Sequence, residues 1–229
     1  MKSIRLFFFA LVVAFPLIAQ EPIVYRFDQV RSKVVVTTHG TDLRAVQGTI
    51  AHDEDRVRTG WFGHAMLAAP RYAAEFEIFS GSQVTLAGGT PGLILSLDRG
   101  RLKAMFDKIT GNEPRMVRTP GALLAVRGTR YGVEVGRNGD ADLVVFEGTV
   151  EVKSALAKEP VFVHAGEGCH FGTSSAPMVM PMRGMNEGMW QQHGAGGMGG
   201  MDRGSPGMNG TPGQRGTGTT PMMGGHHGH

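Results

Sequence analysis

Residues 117–135 constrain the fold more than any other stretch, and they read VRTPGALLAVRGTRYGVEV. After a Thr-Pro-Gly turn, residues 123–126 are predicted to form a short buried strand to which Leu123 and Ala125 belong, with Leu124 and Val126 as further candidates. An Arg-Gly-Thr break follows, and residues 130–135 then alternate between apolar and polar or small side chains. This alternation predicts a second strand with one buried face, and a glycine between strands is typical of a bend or of two backbones in close approach.

The same arrangement returns between residues 141 and 152, where Glu147-Gly148 forms the predicted turn between two strands. Upstream, runs of about five residues with period-2 alternation are separated by turn residues every 8 to 12 positions. No amphipathic helical period of ten or more residues accompanies them. The sequence therefore predicts an all-β fold.

These residues, taken in order, resemble the FecR domain family. The resemblance covers residues 45–155 and implies two facing sheets wound into a β-roll or short solenoid. The motif positions that carry it, with an aromatic two residues after the Arg-Gly-Thr break, are Thr119, Pro120, Arg127, Gly128, Thr129, Tyr131, Glu147 and Gly148. Further matches lie upstream at 57–60, 63–67, 80–86 and 97–102.

Two interpretations are open for Arg127, the central charged residue of the motif. Its guanidinium could face a partner's carboxylate, or it could fix the strand bend by donating hydrogen bonds to backbone carbonyls. The small, turn-like neighbours favour the second interpretation. Thr129 is expected to contribute similarly through its hydroxyl, and Gly128 to lie where a side chain would clash or force an unfavourable φ.

The amino terminus predicts export to the periplasm or beyond the cell. Lys2 and Arg5 precede an apolar run that ends at Ala19, which is the order of a secretory signal peptide. An uncleaved membrane anchor is the alternative, although the run is shorter than the roughly 20 residues that a spanning helix needs. Cleavage would leave 21 basic and 20 acidic residues, so no nucleic-acid surface is expected.

Composition changes abruptly after residue 173, where methionine and glycine dominate. Apart from Trp190, no side chain there is large enough to anchor a core, so a disordered tail is predicted. The predicted organisation is a signal peptide (1–19), N-terminal strands (20–44), a FecR-like β domain (45–155), closing strands (156–173) and a Met/Gly/His-rich tail (174–229).

The sequence shows no catalytic constellation, and we expect no enzymatic activity. Cys169 and His170 are adjacent, which places them on opposite faces of a strand, and the single cysteine excludes an intramolecular disulfide. Cys169 is expected to be a small buried hydrophobic residue. No cofactor is expected, except that thioether and imidazole groups of the tail suit copper or another soft metal, with His226, His227 and His229 as candidate ligands. A plain low-complexity spacer is the favoured alternative.

The family resemblance implies an envelope domain that meets a receptor's signalling domain, preceded by an anti-sigma segment and a membrane helix. The few residues before the apolar run leave no room for that segment, and the Met/Gly tail stands where the family has a receptor-contacting region. We therefore predict an exported, non-enzymatic FecR-domain protein that acts as an envelope interaction or ligand-binding module, with an envelope protein or surface ligand as its partner. The alternatives are a periplasmic metal-binding protein that uses the tail, and a surface or matrix structural protein.

Overall fold

The computed structural model describes residues 23–87, 90–108 and 115–193, and it confirms the predicted all-β fold. Within these ranges, seventeen strands are accompanied by a 3-10 helix at Pro70–Tyr72 and one α-helix, α1, at Glu187–His193. None of the helices in the described ranges is long and apolar enough to cross a membrane. The predicted signal peptide, residues 1–19, lies outside the described residues.

The strands form two layers, named A and B here. Layer A, in hydrogen-bonding order, contains β4 (Ile50–Ala51), β1 (Tyr25–Arg31), β6 (His64–Ala69), β7 (Ala74–Ile78), the second half of β9 (Leu93–Phe106), β12 (Arg130–Val135), β13 (Ala141–Glu147), β16 (Glu167–Phe171) and β17 (Met178–Pro181). Layer B contains β3 (Thr41–Arg44), β2 (Val34–Thr38), β5 (Arg56–Thr59), β8 (Gln83–Leu86), the first half of β9, β10 (Arg115–Arg118), β11 (Leu123–Val126), β14 (Thr149–Lys153) and β15 (Val161–His164).

Strand β9 belongs to both layers. Its first half pairs with β8 and β10, and its second half pairs with β7 and β12. The change of layer falls at Gly100, whose φ of +91° favours glycine and where a Cβ would lie 2.5 Å from the Cα of Ser82. Because of β9, the two layers are one hydrogen-bonded structure.

One hydrophobic core lies between the layers. It runs from Ile23 to Phe171 and therefore takes residues from each of the segments predicted as 20–44, 45–155 and 156–173. The buried side chains come from alternate positions of the strands, for example Tyr25 and Phe27 of β1. The two facing sheets implied by the family resemblance are present.

The hairpin of β10 and β11 confirms the predicted turn at residues 119–121 but corrects the assignment of buried residues. Leu124 and Val126 face the core, whereas Leu123 and Ala125 are half-buried. The reason is the register, because β11 is paired on both sides, by β10 and β14, and only every second residue points towards layer A.

The prediction of a disordered tail from residue 174 is wrong for residues 174–193. Strand β17 pairs with β16 at the edge of layer A, and helix α1 follows it. The Trp190 side chain is fully buried. Composition predicted disorder because this segment has no core of its own, but it packs on surface that the layers already provide. Residues 194–229 lie outside the described residues.

Candidate functional site

The structure overturns the favoured interpretation of Arg127. Its side chain is exposed and makes no hydrogen bond or ion pair with any residue in the described ranges. Arg115 donates hydrogen bonds to backbone carbonyls, which is the role that was expected of Arg127. Its side chain is buried and donates to the carbonyl of Tyr72 at 3.2 Å and to that of Asp107 at 2.9 Å. Burial lowers the pKa of the Arg115 guanidinium, which lies 5.4 Å from the centre of the Phe106 ring.

The other residues around the strand break are packed together, as predicted. The Thr129 hydroxyl is buried and donates to the carbonyls of Arg127 at 3.3 Å and Thr149 at 3.0 Å. Gly128 has a φ of +60°, and Gly148 has a φ of +82°. A Cβ on Gly148 would lie 2.7 Å from the Gly128 carbonyl oxygen, so two backbones meet closely here.

The remaining motif residues also make contacts within the fold. Thr119 is buried and its hydroxyl closes the turn by bonding to the backbone of Ala122, while Pro120 is exposed. Tyr131 stacks on Phe106 with ring centres 6.3 Å apart. Glu147 is exposed and lies 3.5 Å from Lys108 and 3.7 Å from Arg130. The motif residues therefore make contacts that stabilise the fold at turns and in the core.

The turn between β5 and β6 carries two exposed aromatic side chains. Trp61 is 91% exposed and Phe62 is 84% exposed, which are the largest values among the exposed large hydrophobic residues of the described chain. The turn is closed by a hydrogen bond of 2.9 Å from the Gly63 amide to the Gly60 carbonyl. Exposed aromatic side chains in a contiguous patch mark interaction surfaces.

The backbone of this turn is held firmly from below. The Gly63 Cα is buried, and a Cβ there would lie 2.5 Å from the carbonyl oxygen of Lys33 and 2.6 Å from the Gly60 amide nitrogen. The Thr59 hydroxyl donates to the Phe79 carbonyl at 2.5 Å and accepts from the Ser82 amide at 2.9 Å. Trp61 and Phe62 are therefore presented by a rigid turn, which reduces the entropy that binding would cost.

An open groove of about 510 Å³ begins at Trp61 and is lined by the turns of four separate chain segments. We call it the aromatic–arginine groove. Its charged lining residues are Arg58, Arg99 and Arg137, and no acidic residue of the described chain is among those that line it. Arg58 is paired with Asp42 at 2.6 Å, whereas Arg99 and Arg137 form no ion pair with described residues.

The chemistry of the groove suits binding of anionic groups. Guanidinium groups bind carboxylates through two parallel hydrogen bonds, and an indole ring offers apolar contact area with little loss of conformational entropy. Within the described ranges there is no cluster of three or more His, Cys, Asp or Glu residues that could hold a metal ion. Cys169 is buried, as predicted, and burial raises the pKa of its thiol to about 11.

Sequence reasoning did not find this groove. Its residues come from the turn after β5, the turn after β7, the bend of β9 and the turn after β12, and each turn alone is an ordinary Gly- and Ser-rich connection. The adjacent Trp61 and Phe62 within a predicted turn were the one available signal, because large aromatic residues rarely occupy turns without a reason. The predicted metal ligands His226, His227 and His229 lie outside the described residues.

Comparison with known proteins supports the family resemblance. A family model described as FecR protein matches residues 75–151. The match begins in β7 and ends in β14, so it contains the whole of β9 and all eight motif residues, but neither Trp61 nor Trp190. No curated protein matches the chain significantly.

Two solved structures, both described as a putative anti-sigma factor from Parabacteroides distasonis ATCC 8503, match part of the chain. The first has a TM-score of 0.51 at 16% identity and covers 60% of this chain. The chain spans 64% of that protein's length, which is less than two thirds. The second has a TM-score of 0.48 at 15% identity, with 55% of this chain and 59% of the other covered. At such low identity the first comparison shows a shared fold alone.

Proposed function

Because residues 75–151 carry a FecR domain, we propose that this chain is an exported, non-enzymatic interaction module of the cell envelope that binds a partner protein through the aromatic–arginine groove. The observation that supports this most is the pair Trp61 and Phe62, held outside the core by a rigid turn. A protein that gained nothing from these rings would lose little by replacing them with polar residues.

The groove also defines the chemistry of the partner. Tryptophan and arginine are the residues that contribute most to binding energy at protein interfaces, especially when they lie next to one another. Arg99 and Arg137 form no ion pair with described residues, and no described acidic residue lines the groove, so the partner supplies the carboxylates. We infer an acidic partner segment with an apolar side chain that packs on Trp61 or Phe62.

A regulatory role fits the fold that this chain shares with a protein described as a putative anti-sigma factor. In this proposal the chain is one member of an envelope signalling pair, and the groove is where the two members meet. Export rests on the order of charged, apolar and small residues up to Ala19. The mass of the intact protein from the native envelope tests it, because cleavage near Ala19 removes a defined mass and retention of the full-length mass excludes it.

The binding proposal is tested by a photo-crosslinking amino acid placed at Trp61, which lines the groove, in the full-length protein and in cells of its source. A matched position is Phe162 on the edge strand β15, which is 56% exposed but lies outside the groove. We expect a discrete crosslinked product from position 61 and none from position 162. The double substitution Arg99→Glu and Arg137→Glu should abolish that product. Equal crosslinking from both positions, or a product that survives the charge reversal, would refute the groove as the binding surface.

A further inference from the structure

The outer face of layer A carries a second aromatic site, and residues of helix α1 fill it. The Trp190 side chain is fully buried, yet it does not belong to the core that the two layers enclose. It lies over Gly132 of β12, where a Cβ would be only 2.5 Å from the indole ring. The missing side chain of Gly132 leaves the space that the indole occupies.

Aromatic and cationic side chains form the walls of this site. The Phe79 and Phe146 rings meet the indole edge-on, with centres 5.5 Å and 6.1 Å away. The Arg101 guanidinium lies 4.9 Å from the indole ring and 4.7 Å from the Phe79 ring. Aromatic pairs in this geometry and a cation against an indole are each favourable beyond the area they bury.

Polar groups of the face hold the two ends of the helical turn. Lys103 forms an ion pair of 2.8 Å with Glu187, three residues before the tryptophan. Arg101 donates to the carbonyl oxygens of Trp190 at 2.8 Å and Gln191 at 2.9 Å, which are groups that the short helix leaves without a helical partner. The face therefore recognises an acidic side chain, a tryptophan and the carboxyl end of one helical turn.

A buried carboxylate completes the charge pattern beneath the helix. Glu77 lies 2.9 Å from Lys103 and 2.8 Å from His64, and it accepts a hydrogen bond of 3.1 Å from Gln191. Burial alone would lower the pKa of Lys103, but its bonds to Glu187 and Glu77 raise it. Lys103 is therefore charged at neutral pH and remains able to attract an acidic side chain after Glu187 has left.

Three observations indicate that the helix is a removable cover and not a part of the core. It has seven residues, whereas isolated helices shorter than about 12–15 residues are marginal in water. The core between the layers is complete without it. It also buries polar nitrogen atoms that have no partner among the described residues, namely Trp190 Nε1 and Arg101 Nε. Such atoms regain water when the helix leaves, which favours opening.

We propose that this face of layer A is a docking site for a helical turn that carries an acidic residue three positions before a tryptophan, and that residues 187–191 occupy it as a displaceable cis ligand. A partner segment with the same two side chains binds only by displacing the chain's own helix. Residues 187–191 thereby lower the apparent affinity of the site for a partner segment. They compete with that segment at a high effective concentration, because a short connection ties them to β17.

Tryptophan fluorescence of the full chain tests whether the cover opens. In a Trp61→Phe chain, emission reports on Trp190, which we expect to be poorly quenched by acrylamide. Gly132→Ala should raise the quenching several-fold, because the new methyl group takes the space of the indole. The matched change is Gly188→Ala within α1, whose Cβ would meet only the Asn186 side chain at 3.5 Å. It should leave quenching low. Quenching that Gly132→Ala does not change would overturn the proposal.

Binding in trans tests whether the face is a docking site. The probe is a fluorescein-labelled peptide of residues 185–193, added to full-length Trp190→Ala protein and to the unsubstituted protein. We expect binding to the Trp190→Ala chain to be at least about tenfold tighter, because no cis segment competes there. A peptide that carries alanine in place of tryptophan should not bind. Equal affinity for the two chains, or loss of cooperative melting in the Trp190→Ala chain, would refute the proposal, since the second result makes the helix part of the fold.

Discussion

Trp61 and Trp190 show how one fold gives the same side chain two opposite positions. Both lie beside arginine residues, and both have a glycine within the two preceding residues, Gly60 before Trp61 and Gly188 before Trp190. Trp61 is 91% exposed at a turn, and Trp190 is 0% exposed on a sheet face. The difference does not come from the indoles. It comes from the backbone beneath each of them.

Glycine has different effects in the two regions. Gly63 allows the turn that carries Trp61 to bring its backbone against the Lys33 carbonyl. Gly132 places no side chain on the outer face of the sheet, and the Trp190 indole contacts the position that a Cβ would take. In the first region a glycine lets two backbones meet, and in the second a glycine accepts an aromatic ring from another segment.

The largest expected effect follows from filling the contact below Trp61. Gly63→Ala should lower the free energy of unfolding by about 2–3 kcal/mol, because the new Cβ meets backbone atoms that cannot move aside. Urea denaturation measures this. Gly60→Ala is the matched control, since its Cβ would meet Lys33 at an ordinary 3.4 Å. If both substitutions have the same effect, Gly63 does not support the turn as described.

Exchanging each tryptophan for alanine gives the next largest effect. Trp190→Ala should lower the free energy of unfolding by about 1–2 kcal/mol, less than for a core tryptophan, because local opening of the helix limits the loss. Trp61→Ala should stay within about 0.5 kcal/mol, as for other exposed positions. Thermal melting of the two full-length variants compares them. A larger loss from Trp61 would reverse the assignment of the two roles.

Acid should destabilise the sheet face below Trp190. Burial alone would raise the pKa of Glu77, but hydrogen bonds from Lys103 and His64 outweigh it and lower the pKa. A carboxylate with a lowered folded pKa contributes stability above its unfolded value, and that stability is lost as the pH falls through the folded value. The free energy of unfolding of the full chain should therefore fall as the pH drops below about 4.3.

Two matched chains check this interpretation by urea denaturation. In a Glu77→Gln chain, the loss of stability between about pH 7 and about pH 3 should be smaller. A Glu75→Gln chain, in which an exposed carboxylate of the same strand is changed, should keep the full loss. An equal loss in the Glu77→Gln chain and the unsubstituted chain would exclude Glu77 as the group that responds to acid.

Copper should affect neither region, and this is the smallest expected effect. If His226, His227, His229 and the methionines of the tail are the ligands, copper binds beyond both tryptophans, with about micromolar affinity because closing each chelate loop costs entropy. Cu(II) binding through imidazole should weaken below about pH 6, whereas Cu(I) binding through thioethers should persist. Titrating copper into the full-length protein and into a chain truncated after His193 tests this. Equal copper binding by the two chains would exclude the tail as the copper site.

Much of the fold could be predicted from local pattern, because each strand carries its own alternation. The hairpin turn at Thr119, the bend at Gly128 and the role of the Thr129 hydroxyl follow from two or three adjacent residues. Arg115 could not be distinguished from Arg127 in this way. Both flank short strands, and only the positions of the Tyr72 and Asp107 carbonyls decide which guanidinium is buried.

The two aromatic sites depend on contacts that no local pattern contains. The groove combines turns from four segments, and the space for Trp190 is created by a glycine in β12. The sequence of residues 174–193 has no core of its own, so its composition predicted disorder. Its order comes from a surface that the rest of the chain provides. Long-range placement of this kind is what composition and periodicity leave undetermined.

The passage of β9 from one layer into the other has a mechanical consequence. A stack of hairpins held only by its neighbours frays from either end, one repeat at a time. Here a single strand of fourteen residues is hydrogen-bonded in both layers, so neither layer can unfold while the other stays folded. A molecule pulled at its two ends should therefore stay folded until the strand pairing of β9 breaks, and it should then unfold in one step.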